Sequence, residues 1–156
     1  MALLSGTTPA ALQELTRARL VAASTTAGSR VTVGRQEPYT TLADLPALDI
    51  SCSRSSLRMQ LDGQSGLCTP VWQASYQVVV AVRASGATDA AADAAMRALA
   101  EEVIDATAGS LSYLGDLPGA LSGVEVQSYV GPEDAAVGVS GCVVVLTIDA
   151  DGVQYG

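Results

Sequence analysis

The order helix, several strands, helix, two strands predicts an α+β fold: a mainly antiparallel β-sheet with two main helices packed on one face. Three stretches carry that expectation. Residues 71–83 alternate, with Trp72, Ala74, Tyr76, Val78, Val80 and Val82 on one side and Gln73, Ser75, Gln77 and Arg83 on the other, which fits an antiparallel strand with one covered face. A helical stripe of Ala92, Met96, Leu99 and Val103 follows at once. The last apolar stretch, residues 137–149, is hydrophobic on both sides, with Cys142, Val144, Leu146 and Ile148 facing one way and Val139, Val143 and Val145 the other. Such a strand belongs inside a sheet and wants cover on both faces. A helix pair supplies one cover; another internal element or a neighbouring subunit supplies the other.

The remaining elements fall in order around these. Residues 1–8 read as a lead-in. Thr8 and Pro9 open a first helix, Thr as cap and Pro in the first position, with Ala11, Leu15, Ala18 and Ala22 at helical spacing and Leu12 beside them. Arg17 lies off that stripe, and Gly28 closes the segment. Residues 30–34 form a short strand, and the polar, Pro-containing residues 35–41 form an exposed loop. Leu48, Ile50 and Cys52 then share one strand face, and after Ser53-Arg54-Ser55 the alternation resumes with Leu57, Met59 and Leu61. Residues 62–66 are a turn. Thr88 caps the second helix, Asp89 suits its positive N-terminal end, Arg97 sits within reach of Asp93 and Glu101, and the helix stops near Gly109. Residues 110–122 are irregular with room for one helical turn. A strand at 124–130 and an acidic turn at 131–134 lead into the last strand, and residues 150–156 read as a tail. The whole, residues 1–156, is expected to form one domain.

What the chain lacks narrows its chemistry. It has no His, and all eight basic residues are Arg. Without His there is no imidazole base, no Ser-His or Cys-His nucleophile pair, and not the commonest metal ligand. Without Lys there is no Schiff base and no phosphate-loop lysine. Carboxylate-only chemistry and acid-cluster binding of Mg²⁺ or Ca²⁺ survive. A formal net charge of −8 argues against gripping a duplex, which takes Lys and Arg on phosphates, yet suits a surface that DNA slides past. Cys52, Cys68 and Cys142 show no CxxC spacing and are expected as buried free thiols. No secretory signal or membrane-span run is visible, so the expectation is a soluble protein made in a reducing cytosol.

Individual candidates for catalysis fail on spacing. Glu101 and Asp105 share a helix face while Glu102 points elsewhere, which describes a solvated face. Asp149-Ala150-Asp151-Gly152 resembles the opening of a calcium loop but lacks the acidic residue that closes one. Ser140 has no His to activate it, and the glycines around it form no nucleophile elbow or phosphate loop. Arg54 and Arg58 are two scattered cations on a solvated face. The expectation is no enzyme, no cofactor and no metal.

Four stretches together resemble a known family. They are the first helix, residues 12–23, with its short strand and polar loop; Leu45-Pro46-Ala47-Leu48-Asp49-Ile50; the unit at 72–107, a long strand, a Gly-containing turn and an Ala-rich acidic helix; and the closing strands at 123–149 around an acidic turn. In this order and spacing the chain resembles the tail terminator proteins of long-tailed bacteriophages, the minor tail protein U or tail-completion class. It departs from them in having Trp72-Gln73 at the start of the long strand and in ending its last strand on Asp149. The resemblance implies a hexameric ring that caps the tail tube, ends its polymerisation and offers the head-side connector a docking surface. DNA then passes through the lumen without specific binding. The implied partners are other copies of the chain, the tube protein and the connector, with no membrane. The implied location is the head-proximal end of the phage tail, after synthesis in the host cytoplasm. It also makes Arg35, Glu37 and Tyr39 in the polar loop, with Glu133 and Asp134 in the turn, the candidate contacts to subunits or tube.

Other readings compete: a head–tail connector or neck adaptor of the same virion, a small carboxylate-based enzyme, or a ligand-binding domain. An acidic cluster converging in a cleft would favour the enzyme. Assembly into a ring would favour the terminator.

Overall fold

The computed structural model describes the backbone of residues 8–34, 45–62, 69–128 and 138–154, and the side chains of 8–34, 45–58, 73–127 and 138–150. The elements are α1 (Pro9–Ala22), β1 (Val31–Val33), β2 (Ala47–Asp62), β3 (Thr69–Ser85), α2 (Asp89–Ala106), α3 (Leu111–Asp116), β4 (Ala120–Ser128) and β5 (Val139–Gln154). The strands form one five-stranded sheet in the order β1-β2-β3-β5-β4. Only β1 and β2 pair in parallel; the other neighbours are antiparallel. The expected α+β architecture is present.

Helix α1 starts as its sequence dictates: the Thr8 side chain accepts from the Ala11 amide at 3.1 Å, with Pro9 in the first turn. Its buried face is not the alanine stripe. Leu12, Thr16 and Leu20 go inward, while Ala11, Ala18 and Ala22 are exposed. Alanine is too small to reward burial, and two leucines at about 1.5–3 kcal/mol each decide the rotation. Helix α2 buries Ala92, Met96, Leu99 and Val103 as the periodicity requires, and Thr88 caps it through the Ala91 amide. It ends at Ala106, and the turn that follows is closed by the Gly109 amide, which donates to the Ile104 carbonyl at 3.0 Å, with the Thr107 hydroxyl on the Val103 carbonyl at 2.8 Å. Arg97 pairs with Asp93 at 3.0 Å, and no such pair with Glu101 is seen. Residues 111–116 make the extra helical turn, α3, capped by Ser110.

The long strands hold one refinement and two corrections. The break in alternation at Ser53-Arg54-Ser55 is a bulge between Arg54 and Ser56 that absorbs one residue, and one strand continues through it to Asp62. Strand β4 starts at Ala120, earlier than its valines suggest, with its own irregularity between Leu121 and Gly123. Residues 150–154, expected as a tail, prolong β5 and pair with β3.

One face of the sheet is the core. Leu48 and Ile50 of β2, Ala74 to Val82 at alternate positions of β3, and Cys142, Val144, Leu146, Ile148 and Ala150 of β5 are buried there. Helix α1 lies over β1 and β2, and α2 lies over β3 and β5. Trp72 stands beyond a second bulge, at Trp72/Gln73, and its side chain is outside the described residues. The opposite face carries none of the described helices. There Val79 pairs with Val145 and Ala81 with Val143, and polar Asp49, Gln77, Glu125 and Gln127 surround them. So β5 is interior to the sheet and apolar on both sides, as expected, but its helical cover is on one side only. Arg83 corrects another expectation: placed with the solvent-facing residues of β3, it is only 5% exposed.

Candidate assembly surfaces

Several of the chemistry-bearing residues are engaged in holding the fold. Glu102 accepts from the Thr26 amide at 3.1 Å and its hydroxyl at 2.9 Å, tying the segment after α1 to α2. Arg19 donates from Nε to the Ala106 carbonyl at 2.9 Å, so one cation covers the C-terminal end of α2. Arg19, Glu102 and Ala106, with Thr25 and Asp105, line an open cleft of about 290 Å³ between the two helix ends. Asp149 sits within β5, where Ser75 and Ser122 bond its carboxylate and hold it below its ordinary range. That is strand geometry, so Asp149-Ala150-Asp151-Gly152 is not a calcium loop. Ser140 rests on the Met96 sulfur at 3.6 Å. Among the described residues no three His, Cys, Asp or Glu side chains converge to hold a metal. Burial pushes the Cys52 thiol up to about 11, and Cys142 is raised by burial and then by Asp93. Cys142 is buried and Cys52 half-buried, in line with inert thiols; Cys68 lies outside the described residues.

Arg35, Glu37, Tyr39, Glu133 and Asp134 also lie outside the described residues. The anchors of their segments are visible. Gly34 donates to Ile50, Leu45 precedes the start of β2, Ser128 pairs with Cys142, and Gly138 opens β5. Both segments therefore join the sheet at the end where β2 and β5 begin. Gly138 is fixed there by the Asp89 carboxylate, which accepts its amide at 2.8 Å, and by the exchange of its carbonyl with the Gly86 amide at 2.9 Å.

The surfaces without internal partners are the two sides of the sheet. Strand β1 covers β2 only at Leu48, Asp49 and Ile50, so residues 51–62 have β3 on one side and no described strand on the other. At the opposite side β4 pairs, among the described residues, only with β5, so no described strand lies along the outer edge of Ala120–Ser128. Residues 53–58 of β2 and 124–127 of β4 are exposed on both faces, with Leu57, Val124 and Val126 among the exposed large hydrophobics. Unpaired edges of this length are templates for another strand, and soluble proteins usually blunt them with Pro, Lys or a covering loop. Neither stretch contains Pro; what marks them is the charge of Arg54 and Arg58 on one and Glu125 on the other, and a bulge in each strand. Sequence reading missed these edges because pairing order is not written in any local pattern.

Among the described residues the chain is an α+β domain whose sheet carries helices on one face and has no strand paired beyond β4 or along the outer side of residues 51–62, with no helix long and apolar enough to cross a membrane. No family model matches the chain, and no curated protein matches it. Among solved structures it is similar to a chain from one titled "Virion of native gene transfer agent (GTA) particle", at 19% identity and a TM-score of 0.49, covering 97% of this chain and 100% of that one. A likeness of this degree is too loose to carry the neighbour's role across.

Proposed function

We propose that this chain is a structural subunit of a phage-type virion and acts as a tail terminator. It closes into a ring, hexameric by the family resemblance, at the head-proximal end of the tail. The ring caps the tube, stops its growth and gives the head-side connector a surface to dock on. The observation that supports this best is the sheet with two open edges on opposite sides. One surface of a subunit can then meet a different surface of the next, the heterologous contact from which rings are built. The absence of His and Lys leaves the chain little catalytic equipment. The acidic balance suits a passage for DNA without specific binding. Arg35, Glu37, Tyr39, Glu133 and Asp134 are proposed contacts to neighbours or tube, from the family resemblance and from the described ends of their segments, which lie at one end of the sheet.

The experiment is tube capping. Purified tail tubes polymerising in the presence of the protein should stop at shorter lengths and carry density at one end. Tubes that grow unaffected, with no protein bound, would sink the terminator reading.

A further inference from the structure

The two open edges differ in a way that fits them to each other. On β2, Arg54 and Arg58 are exposed, and neither has an ion pair among the described residues. On β4 the only charge is Glu125, exposed and likewise without an ion pair among the described residues. The faces match as well. Leu57 is in register with Ala74 and so lies on the helix side of the sheet, and Arg58, opposite Gln73, lies on the other. Val124 and Val126 stand opposite Leu146 and Val144 on the helix side, and Glu125, opposite Val145, lies on the other. If the sheet ran on from β4 of one copy into β2 of the next, Val124 and Val126 would meet Leu57 on one face and Glu125 would meet Arg58 on the other, while Arg54, in register with Tyr76 and stacked 5.6 Å from its ring centroid, stays on the helix side.

Direction and offset agree. Within a copy β2 and β4 run in opposite senses, since three antiparallel steps separate them. Copies related by rotation about an axis along the strands therefore bring them together antiparallel. A closed sheet tilts its strands by about 35–45° with a spacing of about 4.8 Å, so crossing five strands offsets neighbours by roughly 17–24 Å, or about five to seven residues. If the crossover from β3 to β4 is right-handed, as such connections almost always are, and the helices are set on the outside of the ring, right-handed strand twist moves the neighbour's β4 toward the far end of β2. That takes it past β1, which blocks β2 only up to Ile50, and onto residues 51–62.

We infer that a second copy of this chain is the occupant of each edge: β4 of one subunit adds antiparallel to residues 51–62 of the next, with Glu125 facing Arg58 and Val124 and Val126 beside Leu57. The inference rests on the ring reading and names its seam.

The test is a charge exchange on the full chain. Glu125→Arg and Arg58→Glu are both exposed sites, so neither change disturbs the core. Each alone should raise the concentration for half-assembly by roughly fivefold, the scale of an exposed ion pair turned repulsive. The double variant should return it close to the parent value. Hydrogen exchange on the parent should slow on assembly in β4 and in residues 51–58. Assembly that ignores both single changes, or a double variant that is the sum of the two defects, overturns the seam while the ring stands. A parent chain that stays monomeric at every concentration overturns the ring reading itself.

Discussion

The hydroxyls of Thr16 and Tyr113 lie 3.0 Å apart in the buried space where α1 meets α3, joining residues 97 apart in sequence. Thr16 also turns its hydroxyl to the Leu12 carbonyl at 2.8 Å, so a polar side chain sits in the core with its bonds made. Tyr113→Phe leaves Thr16 bonded to Leu12 and should cost about 1 kcal/mol, whereas Thr16→Val strands a buried phenol and should cost about 1–3 kcal/mol. Urea unfolding midpoints at unchanged slope would check the order; equal midpoints for Tyr113→Phe and the parent would show that the bond contributes nothing.

Gly138 should resist substitution. Its φ is 84°, and an added Cβ would stand 2.6 Å from the Gly86 carbonyl oxygen. Backbone cannot yield as a side-chain tip would, so Gly138→Ala should destabilise by about 1–3 kcal/mol. Asp89→Ala removes the carboxylate that receives the Gly138 amide and the favourable charge at the start of α2, and should cost about 1–2 kcal/mol. Thermal unfolding of the two variants measures both.

Thiol labelling should separate native from unfolded protein. With its pKa pushed from 9.0 to about 11, Cys52 carries about a hundredfold less thiolate near pH 8 than an ordinary cysteine. Cys52 and Cys142 should therefore react with a small alkylating reagent far more slowly in buffer than in urea, resolved by peptide mass mapping. Rapid native labelling of Cys142 would contradict its place in the core.

Asp149 gives a pH dependence with a definite sign. The Ser75 and Ser122 hydroxyls lower its pKa in the folded state, so its contribution is complete above the unfolded carboxylate value of about 3.9 and fades as pH falls through the folded value. The residue is exposed, so solvent screening holds the effect below about 1 kcal/mol. Asp149→Asn should narrow the stability loss between about pH 4 and more acidic conditions while changing little at pH 7, a comparison that acid titration of both proteins by circular dichroism can make.

How much of this was legible varies with the physics behind each element. Helix α2 could be read whole, since Thr88 caps it and Met96, Leu99 and Val103 are large enough to fix its inward face. In α1 the three alanines were a false stripe: an alanine sits on either face at little cost, and Thr16 became a core residue only through Tyr113, far along the chain. At Ser53-Arg54-Ser55 the break in alternation was visible but its nature was not, because a bulge and a short loop share the same composition and only the partner strand distinguishes them. The start of β4, Ala-Leu-Ser-Gly, lacks the β-branched residues that announced its second half. Arg83 alternates with Gln73, Ser75 and Gln77, and nothing local marks it for burial. The open edges depend on β1 being only three residues long and on β4 taking the outermost place, both properties of pairing order. The loop candidates Arg35, Glu37, Tyr39, Glu133 and Asp134 remain proposals drawn from the resemblance.

The account turns on whether the chain closes on itself. Sedimentation of the purified protein across a wide concentration range, at low and moderate salt, measures this directly, with negative-stain images of the same samples. The account predicts one discrete assembly with a central hole, favoured by higher concentration and weakened by salt. A monomer at every concentration, or open filaments that lengthen without limit, would contradict it.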